Sequence, residues 1–209
     1  IIADKSEIIY DDKMPRILTT PRYTAYVKVA EGCDNRCAYC VIPLVRGNFR
    51  SRTIESIVAE TKNLVKNGVK EINLIAQDTT NYGIDLYGEI KILELLKELV
   101  KIEELKWIRL LYCYPKRFTD ELLNFMATEP KICKYIDLPL QHAHNDVLKA
   151  MARQDTKEEI EDLLVRIRKI MPTATIRTSF IVGFPGESIE HYETLKEFII
   201  KQRFDKVGI

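Results

Sequence analysis

Three cysteines fall within eight residues, in the run Gly32-Cys33-Asp34-Asn35-Arg36-Cys37-Ala38-Tyr39-Cys40. Thiolates suit zinc, copper(I) and iron–sulfur centres. Structural zinc takes four closed ligands, usually as two spaced pairs. Here no second cysteine pair exists, and His142 and His144 lie about a hundred residues further on. A redox dithiol could be read from Cys37 and Cys40, but it leaves Cys33 without a role. A four-iron cluster normally takes four thiolates. Three from one loop leave one iron open to a non-protein ligand, as catalytic metals require. The spacing favours such a cluster, with zinc or a redox dithiol as the alternatives. Cys113 and Cys133 stand alone in apolar surroundings and read as ordinary buried thiols. An odd total of five cysteines, three of them clustered, does not fit a disulfide framework and points to a reducing, cytoplasmic setting.

The elements that must hold this loop alternate regularly. Ala25-Tyr26-Val27-Lys28-Val29 alternates as a strand does, and the cysteines lie in the long loop 31–52 that follows. Residues 54–66 carry an apolar helical stripe, with Thr53 to cap it and Asn67-Gly68 to end it. The alternation predicts strands near 71–76, 107–112, 135–138, 175–182 and from 205. Helices are expected over 91–102, 120–127, 146–152, 157–171 and 189–201. Thr156 and Glu159 form a capping box for the helix from 157. Six strands separated by helices call for parallel pairing through crossovers. No glycine-rich dinucleotide turn follows the first strand, whereas polar loops follow several strand ends. Two closures are open, a doubly wound sheet or a curved barrel, and the second is favoured: the expected fold is α/β, a partial (β/α)6 TIM-like barrel with its chemistry on the loops after the strands. Residues 1–20 read as a linker or entry segment.

Composition narrows the function classes. The 209 residues are 46% hydrophobic and 30% charged, which excludes a disordered chain. The net charge of +1 gives no global field to recruit nucleic acid or an anionic membrane. No apolar stretch is long enough to span a bilayer. A chain that starts at Ile1 and stops on a strand without its helix is expected to be part of something longer.

The cysteine run, its place after the first strand, and Tyr39 immediately before the third cysteine resemble the signature of the radical S-adenosylmethionine (SAM) superfamily. Further segments resemble its methylthiotransferase family. These are Val41-Ile42-Pro43-Leu44-Val45-Arg46-Gly47-Asn48-Phe49-Arg50-Ser51-Arg52, Asp137-Leu138-Pro139-Leu140-Gln141-His142-Ala143, Met151-Ala152-Arg153 and Phe180-Ile181-Val182-Gly183-Phe184-Pro185-Gly186-Glu187. The likeness runs from about residue 21 to 209. Ala76-Gln77-Asp78-Thr79-Thr80-Asn81-Tyr82-Gly83 and Leu110-Leu111-Tyr112-Cys113-Tyr114-Pro115 are similar to the branch that methylthiolates an aspartate β-carbon in a small-subunit ribosomal protein. The branch acting on a tRNA adenosine is the alternative, and a non-catalytic zinc or redox module a second.

The resemblance implies a 4Fe-4S cluster on Cys33, Cys37 and Cys40, with SAM chelated to its open iron and an external electron donor. It implies an N-terminal domain with a second 4Fe-4S cluster and a C-terminal β-domain, neither contained in residues 21–209. For SAM contacts it directs attention to Tyr39, Gln77, Asp78, Gln141, Arg153, Arg177 and Gly183. Gln77 and Asp78 at a strand end could hold the SAM amino group, or simply cap the strand. Gln141 could reach the ribose or carboxylate, or bond only backbone. Arg153 could clamp the carboxylate in a bidentate fork, or be solvated at a helix end. Arg177, between Ile176 and Thr178, is expected to face the barrel interior, buried and in need of an anion. Gly183 could let a flat adenine approach the backbone, or merely serve a tight turn. The His142-x-His144 pair is assigned no metal.

Overall fold

The computed structural model describes residues 9–209. Residues 1–8 of the expected entry segment lie outside the described residues, and 9–20 form neither helix nor strand. The first strand, β1 (Thr24–Lys28), runs into a two-residue strand β2 (Ala30–Glu31). The cysteine segment follows, then a short helix α1 (Ile42–Arg46) and strand β3 (Arg50–Ser51), which pairs antiparallel with β2. Helix α2 (Ile54–Lys66) leads to β4 (Glu71–Ile75). Helices α3 (Ile84–Tyr87) and α4 (Ile92–Leu99) precede β5 (Trp107–Leu110), and α5 (Asp120–Thr128) precedes β6 (Tyr135–Asp137). The chain continues through α6 (Asn145–Ala150), α7 (Lys157–Ile170), β7 (Thr175–Ser179), α8 (Ile189–Gln202) and β8 (Lys206–Gly208).

Helix starts follow the capping residues. Thr53 accepts the Ser56 amide, Thr119 that of Leu122, and Thr156 with Glu159 closes a reciprocal box. Helix α8 begins with a second box, in which His191 takes the part usually played by Glu and its ring accepts the Ser188 amide.

All six main strands are parallel. β4 lies between β1 and β5, and β7 between β6 and β8. The two sets are joined where Ile108 pairs with Ile132 and the Cys113 amide donates to the Asp137 carbonyl. The staves thus follow chain order, as in a barrel. One strand face is apolar and buried under the helices: Ala25 and Val27, Ile72 and Leu74, Ile108 and Leu110. The opposite, concave face is polar: Asn73, Arg109, Asp137 and Arg177 occupy matching register positions there. No helix among the described residues is long and apolar enough to cross a membrane.

The expected strands and helices appear with shifts of a few residues. The loop 31–52 is more ordered than its composition suggests, because α1 and the β2–β3 pair form inside it. Helix α3 was not expected. It is one turn long, too short for a periodicity to register.

Candidate active site

A cavity of about 420 Å³ opens at the C-terminal ends of β1, β4 and β5. Cys33, Cys37 and Cys40 line it together with Tyr39, Gln77, Asp78, Gln141 and Arg153. The volume is that of a small-molecule or cofactor site.

The thiols are held by backbone geometry on both sides. Gly32 sits at φ +80°, and a Cβ there would lie 2.1 Å from the Asn48 carbonyl oxygen, so only glycine fits. The Cys33 amide donates to the Gly47 carbonyl, and Asp34 accepts the Phe49 amide. The short β2–β3 pair therefore clamps the start of the cysteine run. Its far end turns through a Cys40 amide to Cys37 carbonyl bond, and the Ala38 amide donates to Met151. All five cysteines are free thiols. Cys33 is buried while Cys37 and Cys40 are half-buried, and burial pushes the Cys33 thiol up. A cationic centre at this point reverses that penalty by favouring the thiolate.

Asp78 is almost fully buried, and its carboxylate is committed to the protein. One oxygen accepts from Asn35 at 2.8 Å; the other accepts the Thr80 hydroxyl and the Asn81 amide. Arg117 lies 3.6 Å away and also reaches Asn81 and Asn35. Asp78 thus ties the cysteine loop to the end of β4, the capping role that is one of its two expected readings, while still lining the cavity. Beside it the Gln77 side-chain oxygen is buried with no partner among the described residues. An orphaned acceptor in a cavity wall matches a ligand that brings an N–H donor.

Arg153 is not a solvated helix-end residue. Its side chain is 5% exposed, pairs with Asp155 at 3.3 Å and donates to the Pro139 carbonyl. Its guanidinium stacks 4.1 Å from the Tyr114 ring centre. The Nε–H is buried without an acceptor. Burial pushes the Tyr39 and Tyr114 phenols up, Tyr114 to about 12, and burial raises Asp155 as well. Gln141 lines the cavity from a left-handed backbone at φ +73°, with its side-chain amide donating to Pro139. Non-glycine residues rarely adopt this conformation, and the strain turns the chain at the strand end.

Arg177 and Gly183 lie outside the cavity lining. Arg177 does face the concave side, but it is 44% exposed rather than buried, and its anion is Asp137 at 3.1 Å. The concave face is open at this depth, so strand alternation exposes the side chain instead of burying it. Gly183 is exposed at φ +72° and serves the turn before Glu187. Cys113, expected to be an isolated core thiol, is buried but borders the cavity, while Cys133 is only half-buried. Sequence reasoning missed Asn35, Tyr112 and Tyr114 in the wall; their only signal was position beside the cysteines or after β5. His144 and His191 stack 4.1 Å apart away from the cavity, each with Nδ1 accepting a helix-start amide.

Comparison with known proteins agrees with this geometry. The model of the radical SAM superfamily matches residues 27–199. The chain is 61% identical over 201 residues to the ribosomal protein uS12 methylthiotransferase RimO of Desulforamulus reducens. It is 54% identical to the protein of the same name from Heliobacterium modesticaldum. These alignments cover 96% and 98% of the chain but only 45% of each relative, so the chain spans under half the length of the curated relatives it matches. Among solved structures, the radical SAM methyltransferase TsrM of Kitasatospora setae superposes with a TM-score of 0.72 at 18% identity, over 99% of this chain and 40% of that one. Coproporphyrinogen III oxidase (HemN) of Escherichia coli gives 0.64 at 16% identity, over 88% and 43%. These likenesses show the fold, a TIM-like arrangement of parallel strands and helices. With the family model spanning most of the staves and the cysteine loop seated at their C-terminal ends, the chain belongs to the radical SAM superfamily.

Proposed function

We propose that the chain is the radical SAM domain, residues 21–209, of a longer methylthiotransferase acting on an aspartate β-carbon of ribosomal protein uS12. The convergence on one cavity of three free thiols from a single loop carries the reading; Cys113, the other thiol on that cavity, comes from the segment after β5 and is buried. Its substrate rests on the close similarity to proteins named for that activity.

In this reading Cys33, Cys37 and Cys40 hold a 4Fe-4S cluster and SAM occupies the adjoining cavity. Reduced by an external donor, the bound pair would supply radical chemistry able to take hydrogen from an unactivated carbon. The chain's own residues orient and enclose. Gln77 offers its unpaired oxygen to the SAM amino group. Arg153 offers its unpaired Nε–H to the carboxylate, held in place by Asp155 and Tyr114. Tyr39 and Gln141 line the same cavity beside the cysteines and would contact the bound cofactor. The remaining length of the enzyme carries the second 4Fe-4S cluster and the β-domain. A ribosomal-protein substrate places the enzyme in the cytoplasm, and no nucleic-acid contact is assigned to this domain.

The test is mass spectrometry after anaerobic turnover of the full-length enzyme with uS12 and, separately, with tRNA. A methylthio mass gain on the uS12 aspartate is expected. Gain on tRNA alone overturns the substrate, and no 5′-deoxyadenosine overturns the chemistry.

A further inference from the structure

We propose that Arg177, with Lys206 beside it, forms a carboxylate-binding pair that seats the side chain of the substrate aspartate on the concave face beneath the thiol-lined cavity. This rests on the methylthiotransferase reading above and names the residues that would select an acidic side chain.

The concave face carries two arginines, and they differ in what they have left to give. Arg109 directs both Nε and Nη2 to the Glu71 Oε1 atom at 3.0 Å, and its plane lies 4.8 Å from the Tyr135 ring centre. Its Nε/Nη2 edge is occupied. Arg177 gives Nη1 to Asp137 Oδ1, and the Tyr135 phenol lies beside its guanidinium. A guanidinium has five N–H donors in a planar fork, so most of its donors remain for an incoming anion. Asp137 cannot swing away to release or follow it. Its other oxygen accepts the Tyr112 amide at 2.9 Å, and Tyr112 lines the cavity. The buried carboxylate therefore fixes Arg177 one link from the cavity rim.

A second cation stands at the matching position. Lys206 is the register partner of Arg177 on β8; it is exposed and makes no ion pair among the described residues. Adjacent parallel strands are about 4.8 Å apart, within reach of both side chains for one carboxylate. Two like charges in register are unfavourable unless an anion lies between them. Asp137 offsets one charge and leaves one surplus, which a single carboxylate balances.

The chemistry of the substrate makes this anchor effective. In aspartate the β-carbon is bonded directly to the carboxyl carbon. Fixing the carboxylate fixes the β-carbon within one bond, and placement of that carbon controls which hydrogen is taken. SAM carries a carboxylate too, but the cavity already holds Arg153 for it. Arg177 lies two residues before the end of β7, a layer of about 6.6 Å at 3.3 Å per residue.

The experiment uses the full-length holoenzyme with uS12 peptides carrying either Asp or Asn at the modified position, and reads kcat/KM for each alongside SAM affinity. The wild type should prefer Asp by about 10-fold or more, the size expected for hydrogen bonds to a charged group. Arg177→Met should collapse that preference mainly through KM, and Arg177→Lys should restore part of it. Lys206→Met, which removes no internal partner, should reduce the preference by a smaller factor in a fully folded enzyme. An Asp preference unchanged in both Met variants overturns the proposal. A loss of SAM affinity equal to the loss of peptide affinity overturns it as well, by assigning Arg177 to the SAM carboxylate. A wild type that modifies tRNA and neither peptide overturns the underlying reading, and this proposal with it.

Discussion

At the scale of single residues, the site depends on which polar atoms already have partners. Asp78 and Arg153 both border the cavity, yet both oxygens of the first accept from Asn35, Thr80 and Asn81 while the second retains an unpaired Nε–H. Arg153→Ala should therefore weaken SAM binding by about 1.5–3 kcal/mol, as expected for a charged hydrogen bond. It should also lower the melting temperature, because buried Asp155 loses its cation. Calorimetric titration with SAM and a thermal melt separate the two effects. A lowered melting temperature with unchanged SAM affinity would make Arg153 a partner of Asp155 alone. The cysteines were legible because three thiols at that spacing have few other uses. The states of Asp78 and Arg177 were not, because sequence does not say which side chain meets which. Strand alternation is enough to put Arg177 on the concave face, in register with Asp137. Its exposure depends on how far the barrel is filled at that depth, and alternation does not report that.

At the scale of elements, caps and apolar stripes gave most boundaries. Thr53, Thr119 and Thr156 each cap the helix they introduce. What stayed hidden was the joining of loops by distant partners, such as Asn35 to Asp78 and His142 to Glu187. His142 is fully buried; its Nδ1 accepts the His144 amide, and its Nε2 lies 3.4 Å from Glu187. Glu187 in turn accepts the Phe184 amide, so this pair clips the turn after β7 to the segment bearing Gln141. Burial pulls the His142 pKa down, with Glu187 opposing. In the unfolded chain the ring protonates near its ordinary value of about 6.5. The unfolded state then takes up the proton first, and stability is lost as pH falls through that value. Urea unfolding of His142→Gln between about pH 7 and pH 5 should show a shallower acid loss than the wild type, whose window is set by that unfolded value. An identical slope in both proteins would mean that His142 does not contribute to the acid sensitivity.

At the scale of the whole molecule, alternating strands and helices specified six parallel staves, and the absence of a dinucleotide turn pointed to a barrel-type closure. The polar segments after β1, β4, β5 and β6 then had to share one end, which is why residues as distant as Cys33, Gln77 and Arg153 border one cavity. The central claim is that this cavity holds a cluster with one iron open to SAM. Iron and sulfide analysis of the anaerobically reconstituted protein, with electron paramagnetic resonance of the reduced form before and after SAM, tests it most directly. About four irons and four sulfides per radical SAM domain are predicted, with a spectrum that shifts on adding SAM and a cluster lost when Cys33, Cys37 or Cys40 is replaced by Ala but kept in Cys113→Ala. Stoichiometric zinc without sulfide, or a cluster whose spectrum ignores SAM, would contradict the account.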